Sequence, residues 1–210
     1  MEESSRMLSK EKYDEVIRFV FRKEAEEKLG KPAGFVKAEN DAGVKMKVYF
    51  EKRGKLEEDE TKLQVIPYVV LKVYDGKTPK GILMYTRKGS ETRLLNKVSV
   101  GFGGHSNEGD EDVRETACRE IKEEINLSLK PSELNFVGYI FSDKDAVSRV
   151  HIGYVYTAEI NVETFENLNL SDEIKEVCLY TFDGKGCDGI LENWSSIILG
   201  NEKLIEEFVR

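Results

Sequence analysis

The chain has 210 residues, of which 40% are hydrophobic and 34% charged, and its formal net charge is −8. This apolar content suffices for a packed core and excludes a disordered protein, and the length suits one α/β domain with an extension. The net negative charge disfavours binding to duplex nucleic acid, and no basic stripe with interleaved aromatic residues offsets it.

The first sixty residues are predicted to form a helix and a strand ahead of the main domain. Residues 9–29 follow an amphipathic helical pattern, which Gly30 and Pro32 end. Apolar and polar side chains alternate over residues 45–50, as in a strand. A charged stretch over residues 51–62 comes next. We therefore expect an N-terminal extension over residues 1–60 and a main domain over residues 61–210.

The main domain is predicted to mix strands and helices. Strands are expected at 63–74 and 81–87, joined by a hairpin loop that contains Gly76 and Pro79. Further along the chain we expect a strand at 97–101, a helix at 111–125, strands at 134–142, 149–160 and 176–182, and a helix at 191–208. Because strands and helices do not strictly alternate, the expected fold class is α/β (α+β), with a mixed β-sheet between helices.

The cysteines and the chain start bear on the cellular compartment. The chain has three cysteines, an odd number, and no two of them have C-x-x-C spacing: Cys118, Cys178 and Cys187. We therefore expect reduced thiols in a cytoplasmic protein, with neither a disulfide framework nor a zinc site. No apolar run approaches the roughly 20 residues that a membrane span needs, and the charged start lacks a signal-peptide core.

The helix predicted over residues 111–125 carries carboxylates beside its apolar stripe. At about 100° per residue, the stripe consists of Val113, Ala117, Ile121 and Ile125. Glu120, Glu123 and Glu124 lie along one side, and Glu124 falls inside the border of the stripe. Such charges repel one another, and burial raises the cost. Mg²⁺ or Mn²⁺ would remove the conflict, since both prefer carboxylate oxygens. A solvated acidic face, the alternative, would lie opposite the stripe.

An arginine and a glycine loop flank these carboxylates. Arg119 lies one turn before Glu123, and a guanidinium that orients carboxylates explains this order better than a surface ion pair. Upstream, Gly103 and Gly104 give a backbone that a ligand can approach closely. The loop leads into the helix N-terminus, so loop and helix together indicate a site for a phosphorylated ligand.

This segment resembles the signature of the Nudix hydrolases: Gly, five residues, Glu, seven residues, then Arg-Glu-apolar-x-Glu-Glu-x-Gly-apolar. Residues 119–125 match the second half, and Glu111 stands seven residues before Arg119. Two departures exist. Gly104 precedes Glu111 by six residues instead of five, and Asn126 replaces the final glycine. Asn tolerates the left-handed conformation that follows a helix, so it can keep the capping role.

The resemblance covers about residues 63–182 and implies a Nudix-type sheet between helices. It implies a Mg²⁺- or Mn²⁺-dependent hydrolase of phosphoanhydride bonds. Glu120, Glu123 and Glu124 would bind the metal, and Arg119 would orient them. Gly104 and its neighbours, Gly103 among them, would shape the phosphate loop, and Glu111 would be a supporting carboxylate. His105 in this loop could contact phosphate; a solvent-exposed loop histidine is the equal alternative.

The resemblance also implies a small, nucleotide-like substrate. A nucleoside diphosphate linked to another moiety is the expected class; nucleoside triphosphates, nucleotide sugars, dinucleotides and dinucleoside polyphosphates all remain open. Arg149 and His151 are expected to share one face of a predicted strand, and Arg87 ends another; all three could reach its phosphates or base. Structural roles for these basic residues are the alternative.

The general base is open between carboxylates of the helix and of a later loop. Glu120 and Glu124 are candidates on the helix. In many relatives the base is an acidic residue on a later loop, where Glu173 is our preferred candidate. A charge at a strand edge explains Glu173 equally well.

Two other functions are compatible with the same fold. One is a non-catalytic sensor of nucleotide ligands, although such proteins often lose box glutamates and all are present here. The other is an isopentenyl diphosphate isomerase, which needs a catalytic cysteine in a context that none of the three cysteines has. The extension over residues 1–60 would complete the sheet, shape the substrate pocket or form a homodimer contact.

Overall fold

The computed structural model describes residues 10–38, 45–88, 96–181 and 183–209. The helices are α1 (Lys10–Asp14), α2 (Arg22–Leu29), α3 (Arg53–Leu56), α4 (Val113–Ile125), α5 (Val162–Glu166), α6 (Asn193–Leu199) and α7 (Glu202–Val209). The strands are β1 (Val16–Phe21), β2 (Gly34–Lys37), β3 (Tyr49–Lys52), β4 (Lys62–Asp75), β5 (Thr78–Arg87), β6 (Lys97–Ser99), β7 (Gly101–Phe102), β8 (Asn135–Phe141), β9 (His151–Asn161), β10 (Ile174–Tyr180) and β11 (Ile190–Leu191). Position 9 and Phe182, which end two predicted elements, lie outside the described residues.

One mixed sheet is built around β4. The strand order β11-β6-β5-β4-β9-β8-β2 forms its main path, while β1 and β7 also pair with β4 and β10 pairs with β5. β4 and β9 run parallel from the Gln64–His151 pair to the Tyr74–Asn161 pair. β4 is a nearly continuous apolar run because both of its faces are buried.

Helices cover both faces of this sheet. Alternate residues of β4, such as Val65 and Val69, pack in one core with Ile121 of α4. Val70 of β4 packs in the other core with Trp194 of α6. The predicted fold class, a mixed sheet between helices, is confirmed. No helix within the described residues has the length and apolar character to span a membrane.

The predicted helix over residues 9–29 is wrong in its middle part. Val16–Phe21 form strand β1, between the short helices α1 and α2. β1 pairs with β3 and with β4, and it buries Ile17, Phe19 and Val20. A short run of β-branched and aromatic residues fits a helix or a strand by pattern alone, and pairing with the sheet decides the outcome. The strand predicted over residues 45–50 also begins later, at Tyr49.

The end of the chain differs from the prediction in two respects. The helix predicted over residues 191–208 divides near Gly200 into α6 and α7. Cys178 and Cys187 form a disulfide, so the expectation of three reduced thiols is wrong. After β10 the chain turns back, with the Thr181 N–H bonded to the Lys185 carbonyl at 2.8 Å. This turn brings Cys187 beside β10, which spacing in the sequence does not reveal.

Candidate metal and phosphate site

The position of the three glutamates results from how α4 is capped and packed. Asp112 caps the helix by accepting hydrogen bonds from the N–H groups of Arg114 and Glu115. Asn126 ends it in the left-handed conformation at φ 54°, which confirms its predicted role. The stripe residues Ala117, Ile121 and Ile125 are buried. This packing fixes the rotation of the helix and therefore the direction of its carboxylates.

The three carboxylates differ in their environment. The side chain of Glu120 is 15% exposed and that of Glu123 is 59% exposed. Glu124 is half-buried, and its Oε2 is a buried oxygen with no hydrogen-bond partner. The helix therefore presents one sheltered, one exposed and one partly buried carboxylate close to one another along its surface.

Burial raises the pKa of Glu124 to about 8; the charge of Arg87 opposes this rise, and the charges of Glu120, Glu173 and Glu123 add to it. Burial also raises the pKa of Glu120, against the opposing charge of Arg119. A carboxyl group with a raised pKa and an unpaired buried oxygen gains from a nearby cation. With Glu123 beside them, these side chains could hold a divalent ion.

Arg119 connects the glutamates to the preceding loop. Its Nη1 donates to Glu120 Oε1 at 2.6 Å and lies 3.5 Å from both carboxylate oxygens of Glu123. Its Nε and Nη2 donate to the two carboxylate oxygens of Asp110 at 3.3 and 3.1 Å. Nη2 also donates to the carbonyl of His105 at 3.1 Å. The guanidinium thus holds two box glutamates and two points of the loop in a fixed relation.

The carboxylate that supports Arg119 belongs to Asp110, where the resemblance had implied Glu111. Asp110 Oδ2 also accepts from Thr116 Oγ1 at 2.7 Å and from the N–H of Asn107 at 3.0 Å. Burial acts to raise the pKa of Asp110, but hydrogen bonds from Arg119, Asn107 and Thr116 hold it below its usual value. Glu111 is exposed, and its N–H contacts α4 by donating to Glu115 Oε2 at 3.0 Å.

A count forward from Gly104 points to Asp110, and a count back from Arg119 points to Glu111. Five residues separate Gly104 from Asp110, as the signature requires, whereas seven residues separate Glu111 from Arg119. The extra residue therefore lies between the supporting carboxylate and the helix, and the glycine loop keeps its ordinary length.

The glycine loop lies against the helix and against β4. A Cβ on Gly104 would overlap the Glu120 carboxylate, and a Cβ on Gly103 would overlap the carbonyl of Pro67. Strand β1 holds the next part of the loop: the Arg18 N–H donates to the Ser106 carbonyl at 2.7 Å, and the Glu108 N–H donates to the Val16 carbonyl at 3.2 Å. Sequence reasoning missed this contact because it had assigned β1 to a helix.

Two of the other predicted residues lie near Glu124. Arg87 and Glu173 both carry charges that act on its pKa. The Lys88 N–H donates to the Glu173 carbonyl at 2.6 Å, and the Ser171 N–H donates to the Glu124 carbonyl at 2.8 Å. These bonds tie the loop before β10 to the end of α4 and to the end of β5.

His105 and Arg149 have different surroundings. The His105 ring contacts Gln64 Oε1 at 2.8 Å and His151 Nε2 at 3.2 Å through its Nε2. Arg149 lies in a 3-10 helix before β9, so it does not share a strand face with His151. Its Nε donates to Glu60 Oε1 at 2.8 Å. It lines a cleft of about 460 Å³ whose described walls include none of the three box glutamates.

Known proteins share both the sequence and the fold of this chain. Residues 64–184 match the family model of the NUDIX domain. Protein YmaB of Bacillus subtilis (strain 168) is 31% identical over 159 residues, which cover 70% of this chain and 75% of YmaB.

Two solved structures have a similar fold. The crystal structure of Tm1382, described as a Nudix hydrolase, covers 92% of this chain and 100% of its own, with 28% identity and a TM-score of 0.64. A bifunctional NMN adenylyltransferase/ADP ribose pyrophosphatase from Francisella tularensis covers 70% of this chain and 41% of its own. At 22% identity and a TM-score of 0.51, this second likeness is one of fold alone.

Proposed function

Because the chain belongs to the Nudix family of pyrophosphohydrolases, we propose that it cleaves the phosphoanhydride bond of a nucleoside diphosphate linked to another moiety. The cofactor would be Mg²⁺ or Mn²⁺. The observation that carries this proposal is Glu124, a half-buried carboxylate with an unpaired buried oxygen, beside Glu120 and Glu123 on α4.

The proposed ligand residues fit a hard divalent cation. All three offer carboxylate oxygens, which such ions prefer. Because burial raises the pKa of Glu124 to about 8 even against the opposing charge of Arg87, this group holds its proton at neutral pH unless a further positive charge binds beside it. We assign the cation to Glu120, Glu123 and Glu124. When bound, it would neutralise charge on the phosphates and lower the pKa of a water molecule.

The other residues of the site would position and exchange protons. Arg119, held by Asp110, keeps Glu120 and Glu123 in place through its guanidinium. The backbone at Gly103 and Gly104 lets a phosphate approach the helix closely. The attacking water would give its proton to a carboxylate. Glu173 on the loop before β10 and Glu124 or Glu120 on α4 are the candidates.

A nucleotide-like substrate is supported by the family, and its phosphates require local positive charge. The similar fold in an enzyme named as an ADP ribose pyrophosphatase agrees with a nucleoside diphosphate as the recognised part. With a net charge of −8, the chain needs local positive charge to bind an anion. We assign a phosphate contact to Arg87, which acts on Glu124, in preference to Arg149, which pairs with Glu60.

The cysteines do not favour an isomerase. Cys178 and Cys187 are joined, and Cys118 lies on α4, where burial raises the pKa of its thiol. A catalytic thiol needs the opposite environment, one that favours the thiolate.

A panel of diphosphate compounds tests the proposal. Wild type, Glu123→Gln and Glu124→Gln are assayed with Mg²⁺ or Mn²⁺ on ADP-ribose, nucleotide sugars, dinucleoside polyphosphates and nucleoside triphosphates. We expect metal-dependent release of a nucleoside monophosphate or of phosphate. Each variant should lose turnover on the order of 100-fold, as happens when one group that stabilises transition-state charge is removed.

Glu115→Gln is the matched control. Glu115 lies on the same helix and is exposed. A glutamine at this position keeps an oxygen that can accept a hydrogen bond from the Glu111 N–H. The variant should retain wild-type turnover. Equal turnover in wild type and in the two ligand variants would refute the site assignment, and ligand binding without any turnover would identify a sensor instead.

A further inference from the structure

A second cluster of side chains that offer metal-ligand atoms includes a residue of the glycine loop. Glu57, His105 and His151 each offer a ligand atom, and these atoms all lie within 4.8 Å of one another. Glu57 follows α3, His105 follows Gly104, and His151 begins β9. None of the three is a box glutamate, and His105 occupies a variable position of the signature directly after Gly104. His151 is 4% exposed, and the Glu57 side chain is 7% exposed, so the cluster is largely buried.

The protonation of His151 leaves one of its nitrogens able to bind a metal. His151 Nδ1 lies 2.7 Å from the carbonyl oxygen of Val147, which can only accept a hydrogen bond. Nδ1 therefore carries the proton, and in the neutral ring Nε2 carries a lone pair. A carbonyl that orients the far nitrogen of an imidazole is a common feature of histidine ligands.

The separation of the two imidazoles also suits a shared ion. His105 Nε2 and His151 Nε2 are 3.2 Å apart. Two nitrogens bound to one tetrahedral zinc ion at about 2.0–2.1 Å lie roughly 3.3 Å from each other. The rings are inclined at 62°, with centroids 5.3 Å apart, so they meet at their edges and are not stacked.

A buried amide adds a fourth donor. Gln64 pairs with His151 across β4 and β9 and is fully buried. Its Oε1 accepts from His105 Nε2 at 2.8 Å, so the amide oxygen is directed at the cluster, while the amide nitrogen is buried and has no hydrogen-bond partner. His105 Nε2 therefore carries a proton in the metal-free protein, and binding of an ion would release it, as metal binding to a protonated ligand does.

Carboxylates stand close to the cluster. Glu57 accepts from Arg53 Nε at 3.1 Å, and Arg53 also lies 3.6 Å from the carboxylate of Glu15. One guanidinium thus faces two carboxylates, one of which belongs to the cluster.

We propose that Glu57, His105 and His151, with the amide oxygen of Gln64, form a binding site for one transition-metal ion of the zinc type. Imidazole nitrogens favour Zn²⁺ and its neighbours, whereas the carboxylates of α4 favour Mg²⁺ and Mn²⁺. The two sites therefore select different ions.

Such an ion would fasten the glycine loop. His105 directly follows Gly104, which lies against the Glu120 carboxylate, and its carbonyl accepts from Arg119 at 3.1 Å. A metal bound to the His105 ring would link this point of the loop to the end of α3 and to the start of β9. The site would act by holding the loop in position.

The site can be tested without any assay of hydrolysis. Metal-free full-length protein is titrated with Co²⁺, and then with Zn²⁺ against a chromogenic chelator, in excess Mg²⁺ to occupy the carboxylates of α4. We expect one equivalent to bind, with the intense visible bands of four-coordinate Co²⁺ and a higher Tm in Zn²⁺. His105→Gln and His151→Gln should each weaken Zn²⁺ binding by more than the roughly 10–100-fold loss that accompanies removal of an outer-shell partner.

Glu120→Gln is the control, since it alters the box and leaves the histidines intact; it should keep the Co²⁺ bands. His105 is the less buried histidine, so His105→Gln keeps the test valid if His151→Gln fails to fold. The proposal is overturned if folded wild type binds no Co²⁺ or Zn²⁺ in excess Mg²⁺. It is equally overturned if the bands persist in folded His105→Gln, or disappear in Glu120→Gln.

Discussion

Two adjacent residues of α4, Glu123 and Glu124, share the same chemistry and differ in environment. Glu123 is 59% exposed, while Glu124 has a buried oxygen without a partner. The difference results from the helical period, since Glu124 lies nearer the apolar stripe that contains Ile121 and Ile125. The raised pKa of Glu124 therefore reports the geometry on which the proposed cation site depends.

This pKa predicts how stability changes with pH in the metal-free protein. The folded chain keeps the Glu124 proton up to about pH 8, whereas the unfolded chain releases it near pH 4.5. The native state then holds more protons, so this group stabilises the fold at low pH and the contribution is lost as pH rises through that interval. We expect the Tm of wild type in EDTA to fall over this range relative to that of Glu124→Gln.

Glu123→Gln serves as the control for this measurement. Its Tm should still fall with rising pH as in wild type, over a slightly lower interval, because the charge of Glu123 adds to the raised pKa of Glu124 and of Glu120. Parallel Tm profiles for wild type and Glu124→Gln would contradict the raised pKa of Glu124 in the folded protein.

Asp110 is predicted to act through Arg119. Asp110→Asn removes the charge that faces the guanidinium, so Glu120 and Glu123 lose a fixed partner. Loss of such an outer contact typically costs about 10–100-fold in metal affinity or activity. We expect the apparent Kd for Mn²⁺ to rise by a factor in this range, with a modest change in Tm.

Glu111→Gln is the matched control for Asp110→Asn, because Glu111 is the neighbouring exposed acid. Its Mn²⁺ affinity should equal that of wild type. The opposite result, with Glu111→Gln impaired and Asp110→Asn normal, would restore the assignment that the signature spacing had implied.

The sequence alone identifies the glutamates of the signature, but it does not identify the carboxylate that holds Arg119. The spacing of Glu120, Glu123 and Glu124 reflects the helical period and could be read directly. The choice between Asp110 and Glu111 could not, because counts from the two ends of the signature differ by one residue. Only the folded loop shows which carboxylate reaches Arg119.

The position of the glycine loop is fixed by contacts with three other elements. The loop lies between α4 and β4, and β1 contacts it from a third side. A Gly104→Ala change would drive its Cβ into the Glu120 carboxylate. We expect a loss of metal affinity, measured by Mn²⁺ titration, because either the loop or Glu120 must shift.

Gly109→Ala is the control from the same loop, since its Cβ would meet no atom within 4 Å. It should bind Mn²⁺ as tightly as wild type. Normal Mn²⁺ binding by folded Gly104→Ala would mean that the close approach of Gly104 to Glu120 has no part in the site.

Helices and strands were predicted correctly where the apolar pattern and the length of a segment both indicated the same type of element. β4 was expected at 63–74 and spans Lys62–Asp75, and α4 was expected at 111–125 and spans Val113–Ile125. The prediction failed in the extension, where the short apolar run of β1 has no distinguishing period. It also missed the disulfide between Cys178 and Cys187, which depends on a turn and not on sequence spacing.

Strand β1, which precedes the residues that match the NUDIX domain, contributes to the whole molecule in two ways. β1 extends the sheet through β4 and bonds to the loop at Ser106 and Glu108. Ile17→Ala should therefore lower stability by about 2–5 kcal/mol, as for other buried aliphatic residues. It should also lower turnover under conditions where the protein remains folded, because the loop loses a neighbour.

Ile198→Ala provides the comparison, since Ile198 is equally buried but lies in the core on the α6 side. It should lose similar stability, measured by denaturant unfolding, and keep its turnover when folded. If the two variants keep equal turnover, the extension supports the fold without supporting the loop.

The proposed site requires the carboxylates of Glu120, Glu123 and Glu124 to converge on one divalent cation. Anomalous diffraction from crystals soaked in Mn²⁺ would locate that cation. We expect an anomalous peak coordinated by oxygens of these side chains, beside Gly104. Carboxylates directed into solvent with no peak between them, or a peak bound elsewhere on the molecule, would contradict it.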